Sequence, residues 1–239
     1  MTFSILARCP QTNKFGACIA TGSPSVGGRG VIYAESGVGA LALQATAEAR
    51  RGRAAFDALR GGLAAQAVIE QWQASDADHD WRQMGVVDAQ GRAAARTGSK
   101  ARPWAGHHVG DQFVVLCNRV TGEETLKGIV DGYLLNAGVS FEERLMRAIE
   151  AGRDAGGQLD GQTSSAILTY AGKPVPYVDL RVDLADEPVA ELRRILDWHE
   201  PLLDYYQERL DNPTLPLHKD WLKQRNIERQ FGRPPPKKA

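Results

Sequence analysis

The chain has 239 residues, of which 43% are hydrophobic and 24% charged, a profile typical of a folded globular protein. Its 29 lysines and arginines balance 29 aspartates and glutamates, so no global field attracts nucleic acid or a membrane surface. No segment approaches the roughly 18 consecutive apolar residues of a membrane-spanning helix. We therefore expect a cytoplasmic protein that binds neither nucleic acid nor membranes.

The residue types that commonly hold metals and cofactors lack the required spacing. Cys9, Cys18 and Cys117 match neither a zinc site nor a disulfide framework, which favours reduced thiols. Residues 76–80 begin like a calcium loop, but a tryptophan stands at the glycine position, and we expect a solvated loop there. Residues 37–42 fit G-x-G-x-x-A, but the following segment is too long for one βαβ unit. We expect no metal and no cofactor.

The first half of the chain is predicted to contain strands and then a pair of helices. Residues 2–9 and 17–21 flank a turn, and a glycine-rich bend at 27–30 leads to strands at 31–34 and 37–44. Alanine and leucine then dominate residues 53–60 and 63–73, which indicates two helices separated by two glycines.

The second half repeats this order of strands and helices. A hairpin is predicted over residues 83–89 and 92–97, followed by an apolar strand at 113–117. Residues 123–136 and 141–152 have helical periodicity, and Ser140 with Glu143 forms a capping box for the second of these helices. A strand pair is predicted at 165–170 and 177–183.

Strands and helices thus occur in blocks, which favours stacked layers of an α+β fold over a doubly wound parallel sheet. The composition changes near residue 186, and we predict one domain over 1–185 and a helical C-terminal extension over 186–239. The extension has a helix over 188–210 that is interrupted at Pro201, a last helix over 218–231, and a basic, proline-rich tail. Each helix carries an apolar stripe that needs a partner, so we expect a homo-oligomer or packing on the chain's own domain.

Six segments in the same order resemble the DUF1028 family. They are residues 1–8, 37–44, 85–91, 103–107, 117–118 and 177–183. The resemblance implies an Ntn-hydrolase-like αββα four-layer sandwich with an N-terminal nucleophile, and it implies no substrate.

Thr2 is the candidate nucleophile. Methionine before a small residue is ordinarily removed, and its removal gives Thr2 a free α-amine. A threonine hydroxyl needs a base beside it, and an N-terminal threonine carries that base on the same residue. The alternative is that Thr2 is an ordinary strand residue, because β-branched residues favour strands.

Two serines and an arginine stand where the nucleophile's neighbours are expected. Ser4 shares a strand face with Thr2, and Ser23 follows the second strand, either as an orienting residue or as a turn serine. Proteasome-type relatives carry an acid and a lysine near these places, whereas this chain has Ser23 and Arg29. Since arginine does not release its proton, the α-amine must act as the base.

Polar residues at strand ends are candidates for substrate binding. Gln44, Asn118 and Gln162 carry amides that either stabilise an oxyanion or cap turns. Asp160, Gln162 and Ser164 lie in a polar loop before a strand, where substrate contacts are common.

Two functions are consistent with these features. The first is an N-terminal-nucleophile hydrolase that cleaves a small amide or related C–N bond, with Thr2, Ser23 and Asn118 catalytic and Ser4, Arg29, Gln44, Asp160, Gln162 and Ser164 contacting substrate. The second is a non-catalytic protein that binds a small molecule or a partner on the same sandwich, because the acid–lysine pair is missing.

Overall fold

Two antiparallel sheets contain all ten strands of the computed structural model, which describes residues 1–227. The larger sheet consists, in spatial order, of β10 (Val178–Val182), β9 (Ser164–Tyr170), β2 (Phe15–Thr21), β1 (Thr2–Arg8), β8 (Phe113–Asn118) and β7 (Ala105–Gly110). The smaller sheet consists of β3 (Ile32–Glu35), β4 (Gly39–Ala45), β5 (Arg82–Asp88) and β6 (Ala93–Thr97).

Seven α-helices lie in the described part of the chain. They are α1 (Ala49–Arg60), α2 (Ala65–Ser75), α3 (Glu123–Leu134), α4 (Phe141–Asp154), α5 (Pro188–His199), α6 (Leu203–Asp211) and α7 (His218–Gln224). The Glu48 side chain accepts a hydrogen bond from the Arg50 amide at the start of α1. The Ser140 hydroxyl accepts one from the Glu143 amide at the start of α4, which is half of the predicted capping box.

Apolar side chains from both sheets fill the space between them. Leu6, Ile19 and Leu116 of the larger sheet pack with Ala42 and Val87 of the smaller sheet in one buried cluster. Because successive side chains of a strand point to opposite faces, the remaining positions face the helices. The strands of this inner core are therefore buried on both faces, as the almost continuous burial of β1 and β2 shows.

The two helix pairs cover the outer faces of the sheets. Phe56 and Trp72 from α1 and α2 pack with Leu43 and Met84 of the smaller sheet. On the other side, α3 contacts β7 and β8 of the larger sheet, and α4 contacts β1, β2 and β9. Gly152 of α4 gives room for Ile129 of α3, since a Cβ at this glycine would lie 2.9 Å from Ile129 Cδ1.

The predicted α+β class, the two antiparallel sheets and the two flanking helix pairs are confirmed. Strand β7 was not predicted, because its sequence AGHHVG lacks an apolar alternation. The helices begin and end within a few residues of the predicted positions, and α1 begins earlier because Glu48 caps it.

Residues 77 and 78 are exposed, as predicted for a solvated loop after α2, but Asp76 at the start of this segment is not. The Asp76 side chain is completely buried, and its carboxylate accepts hydrogen bonds from Arg82 at 3.1 Å and from the Trp72 indole at 3.1 Å. A buried carboxylate needs such partners, since an unpaired one is strongly destabilising. Asp76 thus ties the end of α2 to the start of β5.

Two compact units are distinguished by their internal contacts, the first over Met1–Leu192 and the second from Arg193 onward. Within the second unit, Leu202 and Tyr205 pack with Trp221 and Leu222, so part of the apolar stripe is covered inside the unit itself. The predicted helix over 218–231 corresponds to α7 as far as Gln224, and its last residues and the proline-rich tail lie outside the described residues.

The sheets approach each other closely at Gly85 of β5. A Cβ there would lie 2.8 Å from Val114 Cγ1 and 3.1 Å from Leu6 Cδ1. We expect Gly85→Ala to lower the free energy of unfolding by about 1–3 kcal/mol, because an added methyl group overpacks this core. Gly138→Ala is the control, since a Cβ at Gly138 meets no atom within 4 Å. Urea denaturation of both variants measures the difference. Equal free energies of unfolding for Gly85→Ala and Gly138→Ala would show that the core at Gly85 accommodates an added methyl group.

Candidate functional site

Thr2 lies at one end of the space between the two sheets. It begins β1, where its register partners are Thr21 of β2 and Asn118 of β8. Its side chain shares a strand face with Ser4 and Leu6, and Leu6 belongs to the core between the sheets. Thr2 therefore faces the smaller sheet, and 7% of its surface is exposed.

Polar side chains replace the apolar core at this end of the sandwich. The larger sheet contributes the inward-facing positions Thr2, Ser4, Thr21, Asn118 and Ser164, and the smaller sheet contributes Gln44, Gln83 and Thr97, as their strand registers require. All but Thr97 are buried. We call these eight residues the polar end.

Thr21 is the closest described partner of the Thr2 hydroxyl. The two Oγ1 atoms are 3.2 Å apart, and the Thr21 hydroxyl also donates a hydrogen bond to the Met1 carbonyl. That carbonyl belongs to the peptide bond whose nitrogen is the Thr2 backbone nitrogen. Thr21 therefore lies beside both the candidate nucleophile and the nitrogen that becomes an α-amine when Met1 is removed.

A chain of hydrogen bonds joins the sheets behind Thr2. The Ser4 hydroxyl donates to Gln44 Oε1 at 2.7 Å, and Gln44 Nε2 donates to Gln83 Oε1 at 3.1 Å. Asn118 Nδ2 donates to the same Gln83 oxygen at 2.8 Å. Of the predicted amides, Gln44 and Asn118 are thus connected to each other through Gln83.

Gln83 is the centre of this network. Its Nε2 donates to the Cys117 carbonyl at 2.8 Å and lies 2.9 Å from Thr97 Oγ1, and its side chain is completely buried. Every member is uncharged, so the network holds the polar end in place without supplying a base. Asn118 uses one of its N–H groups in the network, which leaves the second for another acceptor.

Charged residues lie just outside the polar end. Arg119, which follows Asn118, forms an ion pair with Asp160 at 2.6 Å, and its backbone amide donates to the Arg102 carbonyl at 3.0 Å. The positive charge of Arg29 also acts on the N-terminus, since it helps to lower the pKa of the Met1 amine. Neither Arg29 nor Arg102 makes an ion pair within residues 1–227.

The N-terminal α-amine is in an unfavourable place for a positive charge. Burial, followed by the positive charges of Arg102, Arg119 and Arg29, lowers the pKa of the Met1 α-amine from 8.0 to about 6, and Asp160 partly opposes this. An amine with such a pKa is mostly neutral at pH 7, which is the state in which it accepts a proton.

The remaining predicted site residues hold loops beside the polar end. The Ser164 hydroxyl donates to the Ser23 carbonyl at 2.6 Å and accepts from the Val26 amide at 3.1 Å. Ser23 thus contributes its backbone to this connection. The Gln162 amide lies against Gly157, a glycine with φ of +57°.

Within residues 1–227, no group of three or more histidine, cysteine, aspartate or glutamate side chains is arranged to hold a metal ion. The helices of the described part are all too short or too polar to cross a membrane.

Comparison with known proteins identifies the family. A family model matches residues 2–192, and its description is DUF1028, a family of unknown function. The chain belongs to the DUF1028 family. The resemblance drawn from the six sequence segments is thereby confirmed, and the match covers β1 to the first part of α5.

Two solved structures are similar to this DUF1028 chain. The crystal structure of protein SPO2555 from Silicibacter pomeroyi, also a DUF1028 protein, has a TM-score of 0.76 and 29% identity, and it covers 93% of this chain and 90% of its own. Anbu (ancestral beta-subunit) from Yersinia bercovieri has a TM-score of 0.40 and 12% identity over 90% of this chain and 97% of its own, too low for any inference. No curated protein matches the chain.

Four residues of this region were not among the site residues predicted from the sequence. They are Thr21, Gln83, Arg102 and Arg119. Thr21 and Gln83 carry a detectable signal, because each is a polar residue at an inward position of a strand whose other inward residues are apolar. Arg102 and Arg119 lie outside the strands, in loops whose path the sequence pattern does not predict.

Gln83→Leu tests the importance of the network. The change leaves donors of Gln44 and Asn118 and the Cys117 carbonyl without their partner, and each unsatisfied buried group costs about 1–3 kcal/mol. We expect the free energy of unfolding to fall by at least about 2 kcal/mol. Gln66→Leu is the control, because Gln66 pairs with Glu70 on an exposed helix face. Chemical denaturation measures both, and equal losses would contradict the assigned role.

Proposed function

We propose that this protein is an N-terminal-nucleophile hydrolase, built on an Ntn-hydrolase-like αββα sandwich, that cleaves a small amide or related C–N bond. The observation that supports this most is the position of Thr2. Its hydroxyl lies between the sheets at their polar end, 3.2 Å from the Thr21 hydroxyl and next to the nitrogen that Met1 removal converts into an amine.

The proposed reaction has two steps. In the first, Thr2 Oγ1 attacks the carbonyl carbon, its proton passes to the α-amine, and the amine returns that proton to the leaving nitrogen. The products are an ester on Thr2 and a free amine or ammonia. In the second step the α-amine takes a proton from water, the resulting hydroxide attacks the ester, and Thr2 Oγ1 recovers its proton.

The surroundings of the α-amine suit this role. Burial and three arginines lower the pKa of the Met1 α-amine. The Thr2 nitrogen lies one residue away, so we expect its α-amine to meet the same surroundings after Met1 removal and to be neutral, and thus able to accept the proton of Thr2. The same positive charges favour the negative oxygen that develops during attack. The second N–H of Asn118, the register partner of Thr2, is a further candidate donor to that oxygen.

A β-lactone probe tests the nucleophile without knowledge of the substrate. The lactone carbonyl is attacked by Thr2 Oγ1, its ring opens, and the acyl group stays on the protein with no leaving group. We expect a single adduct on Thr2 in tandem mass spectrometry of protein that has lost Met1. Thr2→Ser should still be labelled, whereas Thr2→Ala should not.

Thr12→Ala is the matched control, since Thr12 lies in the exposed turn between β1 and β2. It should be labelled like the unchanged protein. Retention of Met1 in the intact mass, or labelling that persists in Thr2→Ala, would contradict the mechanism. In that case the non-catalytic binding protein would be the better assignment.

The pH dependence of labelling tests the base. The amine must be neutral to act, so the rate should rise with pH and level off above the amine's pKa. Because the N-terminal amine at Met1 has a pKa of about 6, and Thr2 lies in the same field, we expect the midpoint of this rise well below the ordinary value of 8.0. A midpoint at or above 8 would show that the arginines and burial do not act on the catalytic amine.

The proposal extends to a cytoplasmic homo-oligomer that uses no cofactor. Most leucines of the apolar stripes are buried within the chain itself, and the half-exposed Tyr206 and Leu210 of α6 are positions that an assembly would cover.

A further inference from the structure

Gln158 is a buried side chain without hydrogen-bond partners. Only 3% of its surface is exposed, and neither Nε2 nor Oε1 has a partner in the described structure. Buried amides are nearly always paired, because an unsatisfied buried polar group costs about 1–3 kcal/mol. The two unpaired amide atoms of Gln158 therefore lower the stability of the fold, and a ligand that hydrogen-bonds to them would offset this loss.

The free amide lies beside the N-terminus. A Cβ placed on Gly22 would lie 3.6 Å from Gln158 Oε1, 3.5 Å from Met1 Cε and 3.0 Å from the Gly161 carbonyl. Gly22 directly follows Thr21, the partner of the Thr2 hydroxyl. The Met1 side chain and the Gln158 side-chain oxygen therefore both lie close to Gly22, each within contact distance of where a Cβ would stand.

The same region is positively charged. Gln158 forms a β-bridge with Val120, and the Leu159 amide donates to the Arg119 carbonyl at 3.2 Å, so the loop of Gln158 is attached to the segment that carries Arg119. Asp160 compensates Arg119 alone, because Arg29 and Arg102 form no ion pair in residues 1–227. The positive charges of Arg29 and Arg102 remain uncompensated, and a carboxylate that binds Arg119 has to share or replace its contact with Asp160.

We propose that Gln158, Gly22 and Arg119 form a substrate subsite that Met1 fills in the untrimmed chain, and that this subsite binds the carboxylate-bearing end of a small amide acid. The inference rests on the proposed function and names its substrate class. Removal of Met1 then has two effects at once, since it frees the amine of Thr2 and empties the subsite.

The chemistry of the subsite fits such a group. Gln158 Nε2 donates to a carboxylate or carbonyl oxygen, and Gln158 Oε1 accepts from a substrate N–H, so an acylated amino acid satisfies both atoms. Arginine binds carboxylates with charge-assisted hydrogen bonds, which are stronger than neutral ones. Burial is the largest cause of the lowered pKa of the Met1 amine, and the positive charges of Arg102, Arg119 and Arg29 add to it, so three cations act on this place and only Asp160 opposes them.

Binding to a catalytically inert protein separates this inference from the proposed reaction. The protein is the full chain with Thr2→Ala, trimmed of Met1, and the probes are N-acetylglycine and its neutral counterpart N-acetylglycinamide. In isothermal titration calorimetry we expect the acid to bind about tenfold more tightly than the neutral amide, as loss of a charged hydrogen bond implies. Arg119→Gln should remove this preference, and Gln158→Leu should weaken both probes.

Two controls make the result specific. Arg147→Gln should leave binding unchanged, because Arg147 pairs with Glu143 on the surface of α4. Protein that retains Met1, made with methionine aminopeptidase inhibited, should bind neither probe. Gln158→Leu should also raise the thermal midpoint, since it removes two unpaired buried polar atoms, so its loss of binding is not a loss of folding.

Three results would overturn the subsite. They are equal affinity for the two probes, no binding of either probe, and unchanged binding in Arg119→Gln and Gln158→Leu. Thr2 labelling by the lactone together with such a result would leave the hydrolase intact and refute the substrate class alone.

Discussion

The end of the sandwich depends on the carboxamide of Gln83. This side chain of the smaller sheet accepts from Gln44 and Asn118 and donates to the Cys117 carbonyl of the larger sheet. It therefore joins the two sheets by polar contacts at the point where the apolar core stops. Thr2 begins β1 and has Asn118 of β8 as its register partner, so the strand that carries it lies beside this network. A buried network of this kind is stable only when its members are satisfied, which makes the geometry around Thr2 specific.

Much of the fold was accessible from the sequence because it depends on local patterns. Strand alternation, the alanine-rich helices and the Ser140 cap all operate within a few residues, and the block order of strands and helices indicates stacked layers. The sequence also placed Thr2 and Ser4 on one strand face, which the core position of Leu6 now assigns to the space between the sheets. Strand β7 was missed because its glycines and histidines give no alternation.

The candidate site was less accessible, because its residues meet across long sequence separations. Gln83 contacts Gln44 over 39 residues and Asn118 over 35, and no spacing rule connects them before the sheets are stacked. Arg119 and Gln158 lie in loops, and their nearness to Met1 follows from how β8 and β9 are joined to β1 and β2. Composition identified the polar types at strand ends, but only the sheet registers bring them to one end.

The side chains of the polar end are uncharged, so in the proposed mechanism the base that takes the proton of Thr2 is the N-terminal α-amine. The amides and hydroxyls of the polar end hold Thr2 but do not take a proton from it. The arginines outside lack this ability too, but together with burial, which is the larger cause, they lower the pKa of the Met1 amine, and in the proposed mechanism they would act in the same way on the α-amine of Thr2. Asp160 partly offsets this field through its ion pair with Arg119, and a substrate carboxylate at the proposed subsite would have to share the same guanidinium. In the mechanism and subsite that we propose, the charges near Met1 would therefore act on both the base and the ligand.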